Sequence, residues 1–264
     1  NNKIVLQNEY RQKTKNSWTV ADFSLTKGHD SSLEDKNDTR SHLFTKTLID
    51  LGLENFLNSM LKIDFQKSSN DNYLKLFNLE SPLLLQNNAV LESSLELNLI
   101  HEDYDLTTSF ESYETLSGSN SDRYQYVLPS YYFSKNFDYQ NIDGSFNFSS
   151  YGINTLHTTN ITETTLLNDL SYTGTDYFFD NGVKNNFEIS LKNINGVGKN
   201  NPQFKTKPTS DIMSAYIYNA SLPLIQNNQE YLNTLEPKMS FRFSPHEMKN
   251  HKTLTRRIDI ENIF

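Results

Sequence analysis

Apolar and polar residues alternate along much of this chain. Between residues 91 and 99, Leu91, Leu95, Leu97 and Leu99 hold odd positions, with Ser93 the small polar exception. Glu92, Ser94, Glu96 and Asn98 fill the even ones. Only an extended strand sends successive side chains to opposite faces, so this period predicts β-structure with one apolar and one wet face. It recurs at 55–66, where Leu57, Leu61, Ile63 and Phe65 oppose Asn58, Lys62 and Asp64. At 103–114, Tyr104, Leu106 and Phe110 oppose Asp105, Ser109 and Glu111. At 183–194, Phe187, Ile189 and Leu191 oppose Lys184, Glu188 and Lys192. At 230–243, Tyr231, Leu235, Met239, Phe241 and Phe243 oppose Glu230, Glu236, Lys238 and Arg242. Residues 123–135 (Tyr124, Tyr126, Leu128, Tyr132) and 211–224 (Ile212, Tyr216, Tyr218, Leu222, Leu224) carry the same pattern. Further strands are expected at 3–12, 17–24, 41–51, 88–100, 144–151 and 160–172. The facing of 17–24 stays open, and 3–12 alternates weakly. The i, i+3, i+4 template of a helix fits almost nowhere.

Between these runs, 28–40, 67–80, 117–122 and 195–210 read as loops, the second with Tyr73–Leu74 as an anchor. Gly52 and His101–Glu102 mark short hairpin connections. Many runs reach ten residues or more, whereas strands average about 5–6 and a bilayer crossing needs about 9–11 tilted residues. Tyr104, Tyr124, Tyr126, Tyr231 and Phe243 stand at run ends, where an interfacial aromatic girdle would place them. The expected fold is all-β: an antiparallel transmembrane β-barrel, present in part, with long meander strands. Its lipid-facing candidates are Leu95, Leu97, Leu99, Phe187, Ile189, Leu191, Met239 and Phe241. Its lumen-facing candidates are Glu92, Glu96, Lys184, Glu188, Lys192, Glu236, Lys238 and Arg242. Pro129, Pro223 and Pro237 fall inside strand-like runs, and each deletes a ladder donor and weakens the strand there.

Composition sharpens this picture. Hydrophobic residues make up 36% of the 264, below the roughly 45–50% (glycine included) of globular domains. A soluble sandwich would want a richer core, but a barrel needs only its outward face to be apolar. Ala, the best helix former, is scarce. Residues 1–264 are read as part of one outer-membrane barrel domain, an internal piece of a longer protein, because Asn1 opens directly into a strand-like run. No stretch approaches the ~20 apolar residues of a spanning helix. The absence of Cys excludes thiolate chemistry. A net charge of -8 offers no basic surface for nucleic acid.

Candidate chemistry is sparse. His246, Glu247 and His251 echo a zinc helix motif, but histidines five apart do not share a helix face. The Asn-x-Ser/Thr triplets at Asn37, Asn147, Asn160 and Asn219 are expected by chance in an Asn-rich chain. No Gly-x-Ser-x-Gly turn is present, and any two of the many carboxylates could be paired on paper. The expectation is a protein that is not an enzyme and takes no cofactor or metal. An embedded hydrolase would need a nucleophile setting that the sequence does not offer. A solenoid would need a constant repeat period. A porin or a TonB-dependent receptor shares the barrel pattern and remains the main alternative.

Several short motifs follow one another in a particular order: Asn72-Tyr73-Leu74-Lys75-Leu76-Phe77-Asn78, then Asp122-Arg123-Tyr124-Gln125-Tyr126-Val127-Leu128-Pro129-Ser130-Tyr131, then Gly144-Ser145-Phe146-Asn147-Phe148. Leu235-Glu236-Pro237-Lys238, Phe243-Ser244-Pro245 and Arg256-Arg257 come after them. Over about residues 60–264 this order resembles the barrel domain of the LptD family of lipopolysaccharide-assembly proteins. The resemblance implies a translocon that inserts lipopolysaccharide into the outer leaflet of the Gram-negative outer membrane. It implies three partners besides the membrane lipid: lipopolysaccharide itself, the plug lipoprotein LptE and the periplasmic bridge protein LptA. The family's N-terminal jellyroll, closing C-terminal strands and cysteines have no counterpart here, so neither disulfide maturation nor gate residues carry over.

Overall fold

The computed structural model describes residues 4–27, 39–84, 89–117, 123–138, 142–157, 160–201, 204–227 and 231–245. Its strands are β1 (Val5–Lys13), β2 (Ser17–Lys27), β3 (Thr39–Asp50), β4 (Asn58–Ser68), β5 (Val90–Ile100), β6 (Tyr104–Thr115), β7 (Tyr124–Asp138) and β8 (Gly144–His157). β9 (Ile161–Gly174), β10 (Tyr177–Phe178), β11 (Lys184–Lys199), β12 (Thr209–Ser221), β13 (Leu224–Asn227), β14 (Leu232–Leu235) and β15 (Lys238–Phe243) follow. Among the described residues the one helix is α1, the single turn Tyr73–Leu76. The fold is therefore all-β. A 13-stranded sheet runs β1 through β9, then β11, β12 and β15, with β10 pairing β11. Consecutive strands are neighbours, and every pair with a described register is antiparallel. Among the described residues the path is open: β1 pairs only with β2, and β15 only with β12. The chain divides into two compact units, one holding Asn1–Tyr132 with 153–164 and 199–201, the other holding the rest.

In the first unit, the register fixes the facing of 17–24. Val20, Asp22, Ser24 and Thr26 share one face of β2 and are buried, while Phe23 and Leu25 on the other are exposed. Across β3 and β4 the pairs Ser24–His42, Asp22–Phe44 and Lys46–Asp64 continue the first face. Phe23–Leu43, Thr45–Phe65 and Thr47–Ile63 continue the second. Ile63–Leu95 and Leu95–Phe110 carry it on to β6.

Several expected boundaries move. Leu57 is not on β4; it lies in the 51–57 connection and bonds through its N–H to the Ile100 carbonyl at 2.8 Å. Gly52 in that connection takes φ +60°, a conformation glycine accepts at little cost. β11 continues to Lys199, well into the run expected as a loop. The two long strands expected at 211–224 and 230–243 are each broken near a proline. Pro223 and Pro237 therefore lie outside the strands, flanking the separate β13–β14 hairpin, and only Pro129 sits within one. A residue with no N–H cannot hold a ladder position that needs a donor.

Candidate functional site: the two faces of the sheet

The exposed face of the first unit is apolar. Phe23, Leu25, Leu43, Ile63, Phe65, Leu95 and Phe110 expose 36–49% of their surface each. They come from five neighbouring strands and share one face by register. Contiguous apolar exposure on this scale marks a surface that meets lipid or protein. Leu97 and Leu99 lie on the same face, half-buried. At one strand end, Phe56, His101 and Tyr104 form a cluster, the last two stacked at 4.6 Å.

The opposite face is charged and hydrogen-bonded. Glu96 lies across from Lys62, whose Nζ reaches Glu96 at 3.8 Å and Asp64 at 3.2 Å. Ser109 donates to Glu111 at 2.6 Å and also meets Ser130 Oγ at 2.6 Å. Glu92 stands where β4 and β5 part. Their backbone ladder ends at Asp64–Ser94. Beyond it the Gln66 N–H donates to Ser93 Oγ at 3.0 Å, and the Glu92 N–H to Gln66 Oε1 at 3.1 Å. Leu91 and Ser94, three residues apart and so on opposite faces of a regular strand, are both buried here.

The structure also assembles a group that the sequence did not announce. Ser24 Oγ meets His42 Nδ1 at 2.6 Å and the Tyr73 hydroxyl at 2.9 Å, while His42 Nε2 faces Asp22 Oδ2 at 3.5 Å. A hydrolase triad binds its serine through Nε2 and its carboxylate through Nδ1, the reverse of this arrangement. All four side chains are at most 3% exposed, so no substrate reaches the serine. The group is a polar grip on Tyr73. Nearby, Glu114 accepts from Lys67 Nζ at 2.7 Å and Arg123 Nε at 2.9 Å, and Arg123 also holds Asp71. These residues line a cleft of about 400 Å³ with Ser68 to Asn72 and Tyr124.

In the second unit the same opposition holds. Phe187, Leu191, Met239 and Phe241 are exposed and share a face with half-buried Ile189, through the pairs Phe187–Tyr218 and Tyr218–Phe241. The rings of Phe187 and Tyr218 lie 5.1 Å apart. Those of Phe146 and Tyr172, at the adjoining ends of β8 and β9, lie 4.9 Å apart. Gly144 (φ +137°) admits this packing, since a Cβ there would fall 2.6 Å from the Thr173 carbonyl and 2.7 Å from the Tyr172 ring. The result is a row of aromatics at one end of the strands.

Lys184, Glu188, Lys192, Lys238 and Arg242 lie on the opposite face. Lys192 pairs with Asp169 at 3.1 Å, Lys184 with Asp176 at 2.8 Å, and Asn219 donates to Glu188 at 2.7 Å. Glu236 departs from expectation. It is not a strand residue but sits between β14 and β15, exposed, beside Lys238 Nζ at 3.0 Å. Hydrogen bonds from Lys238 and then Ser221 hold its carboxyl below the usual glutamate range. A cleft of about 540 Å³ is lined by Lys184, Glu188, Asn219, Glu236 and Lys238 among others.

His246, Glu247 and His251 lie outside the described residues, as do Asn37 and Arg256–Arg257. Among the described residues no cluster of three or more His, Cys, Asp or Glu could hold a metal ion. No protein-family model matches the chain, and a search of curated proteins returns no match.

Proposed function

We propose that this chain forms part of the wall of an outer-membrane β-barrel that delivers lipopolysaccharide to the outer leaflet. The observation that carries the reading is the opposition of faces: exposed apolar side chains on one, ion pairs and hydrogen-bonded polar residues on the other. A soluble sheet hides its apolar face and wets its polar one. A membrane barrel inverts that, with lipid outside and water within. Strand lengths fit, since β1 to β6 run nine to twelve residues and a tilted crossing needs about 9–11. So do the connections. In the first unit the strand ends separated by long intervals of sequence (27 and 39, 68 and 90, 115 and 124) lie at one end, and those separated by shorter ones (13 and 17, 50 and 58, 100 and 104) at the other. Bacterial barrels have long extracellular loops and short periplasmic turns.

The cargo rests on the motif order and on the chemistry of the two faces. Lipopolysaccharide joins acyl chains to a bulky anionic sugar head, so its carrier needs a hydrated passage beside an apolar wall. Two of the motifs that carry the resemblance coincide with local departures from regular structure: Tyr73 in an anchored turn, and Glu236–Pro237 at the β12–β15 break. A plug lipoprotein of the LptE kind and a bridge of the LptA kind are the partners this reading requires. It involves no bond-making step.

Depletion of the full-length parent protein in its host tests the cargo. The expected result is loss of surface lipopolysaccharide with accumulation in the periplasm. Normal surface lipopolysaccharide would discard the cargo and turn attention to solute uptake, as by a porin or a TonB-dependent receptor.

A further inference from the structure

Residues 69–84 do not project away from the strands they connect. They lie back across the polar face of the first unit and are held there by one side chain from each of four neighbouring strands. Gln7 on β1 donates to the Glu80 carbonyl at 2.8 Å. Ser24 on β2 meets the Tyr73 hydroxyl at 2.9 Å. Phe44 on β3 packs with Tyr73 and Leu74 in a cluster closed by Leu91 and Leu116. Gln66 on β4 donates to the Leu83 carbonyl at 3.0 Å. By register Gln7, Ser24, Phe44 and Gln66 all belong to the polar face.

We infer that this segment is a built-in seal of the polar passage, a strap that closes it to ions and small solutes at this level. The inference rests on the barrel reading above. Three features carry it. A turn joining two antiparallel strands needs few residues, whereas this connection is long enough to cross four strands. An apolar cluster on an otherwise polar face has no use in a hydrated lumen unless something docks on it, and the strap supplies the docking residues Tyr73, Leu74, Phe77 and Leu83. The grips are distributed, so the strap cannot swing out about one end without breaking contacts to every strand beneath it. A passage wide enough for a bulky amphiphile would conduct small ions freely if left open, because a large barrel leaves an aqueous channel.

The test is ionic conductance of the full-length parent protein, purified free of any plug lipoprotein, in planar lipid bilayers. Insertion is scored first by heat-modifiable mobility. Two variants are compared with the unaltered protein: one with residues 70–83 replaced by a short Gly-Ser turn, and the double substitution Gln7→Ala with Tyr73→Phe. The double variant loses two polar grips but keeps the buried ring. The unaltered protein should conduct little, the double variant several-fold more, and the strap-deleted variant most. A strap-deleted variant that inserts and conducts like the unaltered protein overturns the seal. If that variant does not insert, the double variant decides in the same way. An unaltered protein that never enters the bilayer overturns the barrel reading, and the seal falls with it.

Discussion

The Leu222 N–H donates to the carbonyl oxygen of Pro237 at 3.0 Å. The bond places the two residues opposite each other in a single interrupted hairpin. Ser221 pairs with Lys238 below the break, and Leu224 pairs with Leu235 above it, in the same register. At a hydrogen-bonded pair both residues exchange N–H and C=O, but Pro237 has no N–H to return. Pro223 lies one position on, where its nitrogen points away from the partner strand. The two prolines are therefore not equivalent. Replacing either with Ala gives up about 0.4–1 kcal/mol of unfolded-state restriction. Only Pro237→Ala gains a hydrogen bond, worth about 0.5–1.5 kcal/mol net. Pro237→Ala should be the more stable of the two by about 1 kcal/mol, measured by urea titration of the full-length protein in vesicles. Equal stabilities would show that the break is not a missing ladder bond.

The facing of β5 and β11 sets a second prediction. Leu97 and Ile189 share the face of the exposed apolar residues, while Glu96 and Glu188 lie opposite. Leu97→Arg or Ile189→Arg should impair membrane assembly of the full-length protein by roughly 2–4 kcal/mol at mid-depth. Glu96→Gln and Glu188→Gln should assemble normally. The readout is the fraction of protein in the heat-modifiable, membrane-inserted form. The opposite pattern would mean the faces are inverted.

Glu114 ties the strap to the sheet by holding Arg123 and Lys67, while Arg123 holds Asp71. The Glu114 side chain is only 7% exposed. Glu114→Ala leaves two cations without their shared carboxylate. The cost should be about 2 kcal/mol, below the 3–5 kcal/mol of a fully buried pair because Lys67 stays half exposed. Lys75 in α1 is exposed, so trypsin cleavage there reports the strap's hold. Faster cleavage in Glu114→Ala is expected, and cleavage at the native rate would detach this cluster from the strap.

Alternation made most of the fold legible. Leu95, Leu97 and Leu99 against Glu92 and Glu96 specify a strand and its two faces before any partner is known, because the strand period depends on the backbone alone. Leu57 continued the alternation of β4 on paper but belongs to a turn, where the chain must leave the ladder. Glu236 was misplaced for a related reason: hydropathy alternates straight through residues 230–243, and the break comes from Pro237. The grip of Ser24, His42 and Asp22 on Tyr73 was legible only from one side: Tyr73–Leu74 reads as the anchor of its loop and is buried, but its polar partners do not show in the sequence. Tyr73 is 49 positions from Ser24, and nothing local to Ser24 marks it as a buried hydroxyl rather than an ordinary β2 residue. Strand period says which face a side chain takes, not which distant segment will cover it.

The most direct test of the two-faced wall is tryptophan scanning with brominated lipids. Trp18, the one tryptophan of these 264 residues, is first changed to Phe, together with any tryptophan elsewhere in the full-length protein. Tryptophan is then placed in turn at Leu95, Glu96, Leu97 and Asn98 of the full-length protein in vesicles whose acyl chains carry bromine. Fluorescence at positions 95 and 97 should be strongly quenched, and at 96 and 98 it should be nearly unaffected. Equal quenching at all four positions, or none at any, would contradict a wall with lipid on one face and water on the other.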